Sequence, residues 1–143
     1  MRLTATPEDF LKGKLVAVGF HPAIIASYDE KMSKRQPDSP PDWVSSQYAE
    51  VQFKITAGPD AGTVIYQNFS EKGASFVVPL LEAITGKTID RTKLFEAEIN
   101  KASMEGKCVD IHVVRGQYKG KPKNEIDGYR PYTGPKGGIN PST

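Results

Sequence analysis

The segment KCVDIHVVRGQYKGKPKNEIDGYR, residues 107–130, constrains the fold more than any other part of the chain. Val109, Ile111 and Val113 alternate with Asp110 and His112, the two-residue period of a half-buried strand. Gly120 lies in the short stretch Tyr118-Lys119-Gly120-Lys121, which suits a tight turn. The chain then runs extended through Asn124, Ile126 and Gly128 to Tyr129. The segment reads as a hairpin with positive charge gathered around its turn.

A second hairpin precedes it. From Ser46 to Thr56, Val51, Phe53 and Ile55 face one way and Glu50, Gln52, Lys54 and Thr56 the other. Gly58-Pro59-Asp60-Ala61-Gly62 is strong turn chemistry, and Thr63 to Phe69 returns as a strand. Upstream, Lys14 to Tyr28 is apolar and β-branched, with Gly19 and Pro22 inside it. It predicts a long strand broken by a bulge or kink, because Pro22 cannot donate to a ladder. Residues 31–42 hold Pro37, Pro40 and Pro41 and read as a loop.

Between the hairpins the period changes. Phe76, Val77, Leu80, Leu81 and Ile84 fit an amphipathic helix that starts near Val78, because Pro79 is tolerated only in a first turn, and stops at Gly86. Leu94, Phe95 and Ile99 predict a second short helix from Asp90 or Thr92 to Lys101. Residues 1–12 are a lead-in in which Thr6 and Pro7 open one helical turn, and residues 132–143 are a flexible Gly/Pro-rich tail. The order is three strands, a helical segment and two strands. It predicts a mainly β domain over residues 1–131, a five-stranded OB-fold Greek-key barrel with a helical insertion between strands 3 and 4.

Charge narrows the function by its distribution. The net +2 is small, but residues 1–100 carry 11 Lys/Arg against 13 Asp/Glu, whereas residues 101–143 carry 8 against 4. The positive field centres on the last hairpin. Arg115, Lys119, Lys121, Lys123 and Arg130 stand there beside Tyr118 and Tyr129. Cations track phosphates and aromatic rings stack on bases, a composition suited to single-stranded nucleic acid. Lys54, on the polar face of the second strand, could extend the groove, and Trp43 and Tyr48 flank the proline-rich loop where they could clamp bases. Tyr66 joins this set, although the alternation leaves its face open.

Each of these residues also has an ordinary role. Hairpin lysines keep edges apart and soluble, Tyr129 could pack over a barrel end, and Trp43 could anchor its loop. Asn124 is most simply a turn or cross-strand hydrogen bonder, and His112 has a surface or cross-strand role.

Enzyme signals fail. Two histidines and the single Cys108 form no metal-ligand spacing, and neither a P-loop nor G-x-G-x-x-G is present. No nucleophile, base and acid come together, so a non-catalytic protein with no metal and no cofactor is expected. One cysteine excludes an internal disulfide and fits a reducing cytoplasm. The N-terminus lacks a signal peptide's apolar segment, and no apolar run approaches the roughly 20 residues needed to cross a bilayer.

The patterns VQFKITAGPDAG (51–62), a helix ending TGK (85–87), EGKCVDIHV (105–113) and YKGKPKNEIDGYRP (118–131) resemble phage-encoded single-stranded-DNA-binding proteins over residues 13–131. The most specific part is Tyr118 and Gly120 followed by Asn124, Ile126 and Tyr129. The resemblance implies an OB-fold that coats single-stranded DNA, without strong sequence preference, in phage replication or recombination inside the host cytoplasm. Replication or recombination proteins would be its partners, and single-stranded RNA stays open as a ligand. The chain departs from many cellular counterparts in having no acidic residue after Asp127, which puts recruitment through an acidic tail in doubt. A homodimer is open too, since Pro22 and the 31–42 loop leave room for pairing. The competing function is a protein-interaction module, docking on a replication or host-defence protein through an apolar patch at Phe20, Pro22, Ile24 and Ile25.

Overall fold

β1 spans Gly19–Met32, β2 Gln47–Ile55, β3 Val64–Ser70, β4 Cys108–Tyr118 and β5 Lys121–Arg130. They form one antiparallel sheet in the order β3-β2-β1-β4-β5, so the first strand in sequence is the central one. The structure, a computed structural model, describes residues 1–5 and 14–135, the side chain of Lys72 excepted. The helical turn expected at Thr6 and most of the expected tail lie outside the described residues. Both hairpins form where the alternation places them, and the fold is mainly β with a helical piece between β3 and β4.

The sheet does not close. β3 and β5 are its two edges, and no ladder joins them among the described residues. The closed barrel expected from the element order is therefore open along this seam.

Alternation fixes which face is buried. Val51, Phe53 and Ile55 of β2 and Val109, Ile111 and Val113 of β4 are almost fully buried, and Ala23 and Ile25 of β1 join them. A bulge at Ala26 then shifts the register, so that Tyr28 rather than Ser27 turns inward. The kink expected near Gly19 and Pro22 thus lies farther along. Pro22 lies one residue past the last β1–β2 pair, Ala23 with Ile55, and its carbonyl accepts from Thr56 N at 2.9 Å.

Residues 14–18 are not part of β1, contrary to the expected strand from Lys14. Val16 is buried instead by side chains of the last hairpin. Its N–H donates to Asn124 Oδ1 at 3.0 Å, and its carbonyl accepts from Arg115 Nη2 at 2.7 Å.

Helix α1 covers Val78–Thr85 and packs on β4 and β5, burying Leu80. Pro79 sits in the first turn, where the amide it lacks would have no helical partner. Gly86 adopts φ 72° and ends the helix, its N–H bonding Glu82 O at 2.8 Å. The expected second helix is not formed. Residues 94–100 form no regular secondary structure, and α2 is a single turn, Lys101–Met104, capped by Asn100 Oδ1 accepting from Ser103 N. Phe95 and Ile99 reach the core from irregular backbone while Leu94 is 86% exposed, so their spacing does not serve a helix face.

Candidate nucleic-acid interface

The turn of the last hairpin places Lys119 at φ 50° and Gly120 at φ 78°. Two consecutive positive φ values match the right-handed twist of the flanking strands and project the turn outward. Tyr118 ends β4 here and is 61% exposed. Two ammonium groups bracket its ring, Lys119 Nζ at 5.3 Å from the centroid and Lys123 Nζ at 5.9 Å. Lys121 pairs with Tyr118 in the ladder and is exposed as well. Attraction between cation and ring holds the lysines around the aromatic face instead of letting them disperse.

Lys123 also borders a cleft along the open seam. Tyr66, Gln67 and Asn68 of β3 face Lys123 to Ile126 of β5 across a space of about 420 Å³. Tyr66 is 56% exposed and points away from Ile65 and Phe69, which settles the face that alternation left open. Lys54 is exposed on that outer face of β2, diagonal to Tyr66 because Lys54 pairs with Val64 and Gln52 with Tyr66. The seam therefore brings Tyr118, Lys119, Lys121, Lys123, Tyr66 and Lys54 along one side of the sheet. Glu125 tempers this charge through an ion pair with Lys123 at 3.5 Å.

Three expected contact residues are occupied elsewhere. Tyr129 packs its ring on Phe53, with centroids 5.8 Å apart, and burial pushes its phenol above the usual range. Of its two roles the structure carries packing. Arg130 donates from Nε to the fully buried Asp110 at 2.8 Å and lies 4.0 Å over the Phe20 ring. Arg115 donates to Asn124 Oδ1 at 2.9 Å as well as to Val16 O. Both arginines thus brace backbone and buried charge, while their side chains stay exposed to solvent.

Trp43 and Tyr48 are half-buried and stand apart from this group, at the end of the sheet where β2 begins. Tyr48 lines a different cavity of about 460 Å³, floored by apolar side chains such as Phe69 and Phe95 and bordered by Glu30, Glu71, Glu96 and Glu98. Tyr28 lies there too. Burial first, and then the neighbouring Glu30 carboxylate, raises its phenol to about 12.

Sequence reasoning missed Gln67 and Asn68, whose amides line the seam. Only the knowledge that β3 is an edge strand facing β5 would single them out. His112 makes the cross-strand contact expected of it, with Nδ1 and Asp127 Oδ1 2.5 Å apart, and Asn124 likewise bonds across the ladder. Of the apolar patch expected for docking, Ile25 is buried, whereas Phe20 stays 41% exposed beside Arg130 and His112. Among the described residues no three His, Cys, Asp or Glu side chains gather as a metal site, and no helix is long and apolar enough to cross a membrane. No protein-family model matches the chain, and no curated protein matches it.

Proposed function

We propose that the protein binds single-stranded DNA along the seam side of its sheet, by cationic contacts and aromatic stacking and without strong sequence preference. The observation that carries this is Tyr118, exposed at the hairpin tip between the ammonium groups of Lys119 and Lys123. A base stacked on that ring would place its flanking phosphates within reach of the lysines. Tyr66 offers a second exposed ring across the cleft, and Lys54 continues the charge. The strand order, all antiparallel with the helical piece after β3, supports reading the sheet as an OB-type barrel opened between β3 and β5. Such a protein would coat strands exposed in phage replication or recombination, within the infected host's cytoplasm.

The test is anisotropy of labelled oligo-dT, the matching single-stranded RNA and a duplex, titrated in parallel over a range of salt. Four lysines on phosphates give an expected slope of log K against log salt of about −3, at roughly −0.7 for each contact on a single strand. Stronger binding to the single strands than to duplex is expected. Unchanged anisotropy with oligo-dT at low salt would sink the proposal.

A further inference from the structure

The cavity beside Tyr48 and the hairpin tip are complementary, and they lie at opposite ends of the sheet. The cavity is concave, about 460 Å³ in volume, with an aromatic floor at Phe69 and Phe95 and a rim of four exposed carboxylates. Among the described residues none of the four is in an ion pair. The tip is convex, with an aromatic ring and lysines, and among the described residues Lys119 and Lys121 are in no ion pair either. Pockets of this size accept a side chain or two with a few polar contacts.

The two features cannot meet within one molecule. β4 passes the start of β1, where Val113 pairs with Gly19, and runs on to Tyr118 at the tip. The cavity is bordered by Glu30, near the other end of β1. Nucleic acid is an unsuitable occupant because four carboxylates repel phosphate. Residues 136–143 carry one cation, Lys136, against the three lysines of the tip.

We infer that the cavity receives the hairpin tip of a second copy of this chain, Tyr118 over the aromatic floor and the lysines among the glutamates. The contact joins two different patches and is therefore heterologous, so repetition produces open head-to-tail chains instead of a closed dimer. A single turn in a pocket buries little surface, which makes the association weak and dependent on salt. Because the same lysines face nucleic acid in the proposed function, a bound strand and a neighbouring copy would exclude each other at that tip.

The experiment is sedimentation velocity on nucleic-acid-free protein at about 50 mM salt, where screening is modest. The sedimentation coefficient of the unaltered chain should climb with concentration and return to the monomer value in high salt. A tip variant, Lys119→Asn with Lys121→Gln, and a rim variant, Glu71→Gln with Glu96→Gln and Glu98→Gln, should each be monomeric alone. Mixed in equal amounts they should form one-to-one dimers that grow no further, because one intact tip meets one intact cavity. An unaltered chain that stays monomeric at low salt overturns the inference, as does a mixture that stays monomeric. Association that survives in either variant alone overturns it as well. None of these readings involves DNA, so they stand or fall apart from the oligo-dT titration.

Discussion

Arg130 faces Asp110 across the β4–β5 ladder and donates from Nε to a carboxylate that is fully buried. Thr133 completes the shell, with N at 3.0 Å from Oδ1 and Oγ1 at 2.6 Å from Oδ2. A buried charge with one cation and two further donors ties the end of β5, and the residues just after it, to β4.

Arg130→Ala should therefore act on stability. Breaking a buried ion pair costs about 3–5 kcal/mol, but Arg130 is half exposed and Thr133 still serves the carboxylate, so about 2 kcal/mol is expected. Urea denaturation measures it. Adding Asp110→Asn should recover part of the loss, since the stranded charge is then gone. A stability within about 0.5 kcal/mol of the unaltered chain would contradict the bracing role.

Tyr118 and Tyr129 should separate binding from folding. Tyr118→Ala removes an exposed ring and should leave stability within about 0.5 kcal/mol. Its oligo-dT affinity should drop about tenfold, near the lower end of the 1–3 kcal/mol that a stacked base contributes. Tyr129→Ala removes a ring packed on Phe53 and should cost about 3 kcal/mol of stability. If Tyr118→Ala bound oligo-dT as well as the unaltered chain, the tip would not be the stacking platform.

Glu82 gives the acid response of the helical piece. Hydrogen bonds from Arg91, and then from Ile89 N, lower its carboxyl to about 2 from an ordinary value of 4.5. A depressed folded value means stability that is present above the unfolded value and lost as pH falls toward the folded one. Glu82→Gln should accordingly melt below the unaltered chain at pH 7. The gap in Tm should narrow below about pH 4.5 and close near pH 2. Thermal melts at a series of pH values report it, and a gap that is constant with pH would show that the ion pair is not its source.

Both hairpins are legible in the sequence because Val51, Phe53 and Ile55, like Val109, Ile111 and Val113, keep a strict two-residue period between turn residues. Period is a local property, and the misplaced features are all long-range ones. Arg115 and Asn124 hold Val16 about a hundred positions away, which no spacing along the chain announces. Asp110 occupies a polar position of an alternating strand, yet the residues after β5 fold over it and bury it. Leu94, Phe95 and Ile99 imitate a helix face although only two of them reach the core. Of the candidate site, the hairpin cluster at Tyr118 is readable from composition. The seam beside it is not, because it exists only where two strands distant in sequence fail to pair.

Lys119→Asn should move stability and affinity in opposite directions. Lys119 adopts φ 50°, a left-handed conformation that crowds Cβ against the following carbonyl and costs an ordinary side chain about 1–2 kcal/mol. Asn tolerates that conformation through its short polar side chain, and Asn-Gly is the preferred pair for this turn. The variant should gain about 0.5–1 kcal/mol in urea denaturation. It also loses one ammonium beside Tyr118, so the slope of log K against log salt should fall by about 0.7. A generally damaged hairpin would weaken both quantities, and a lysine that is only solvated surface would leave the slope unchanged. Only a cation that contacts the strand from a strained turn gives a more stable protein with a shallower salt dependence.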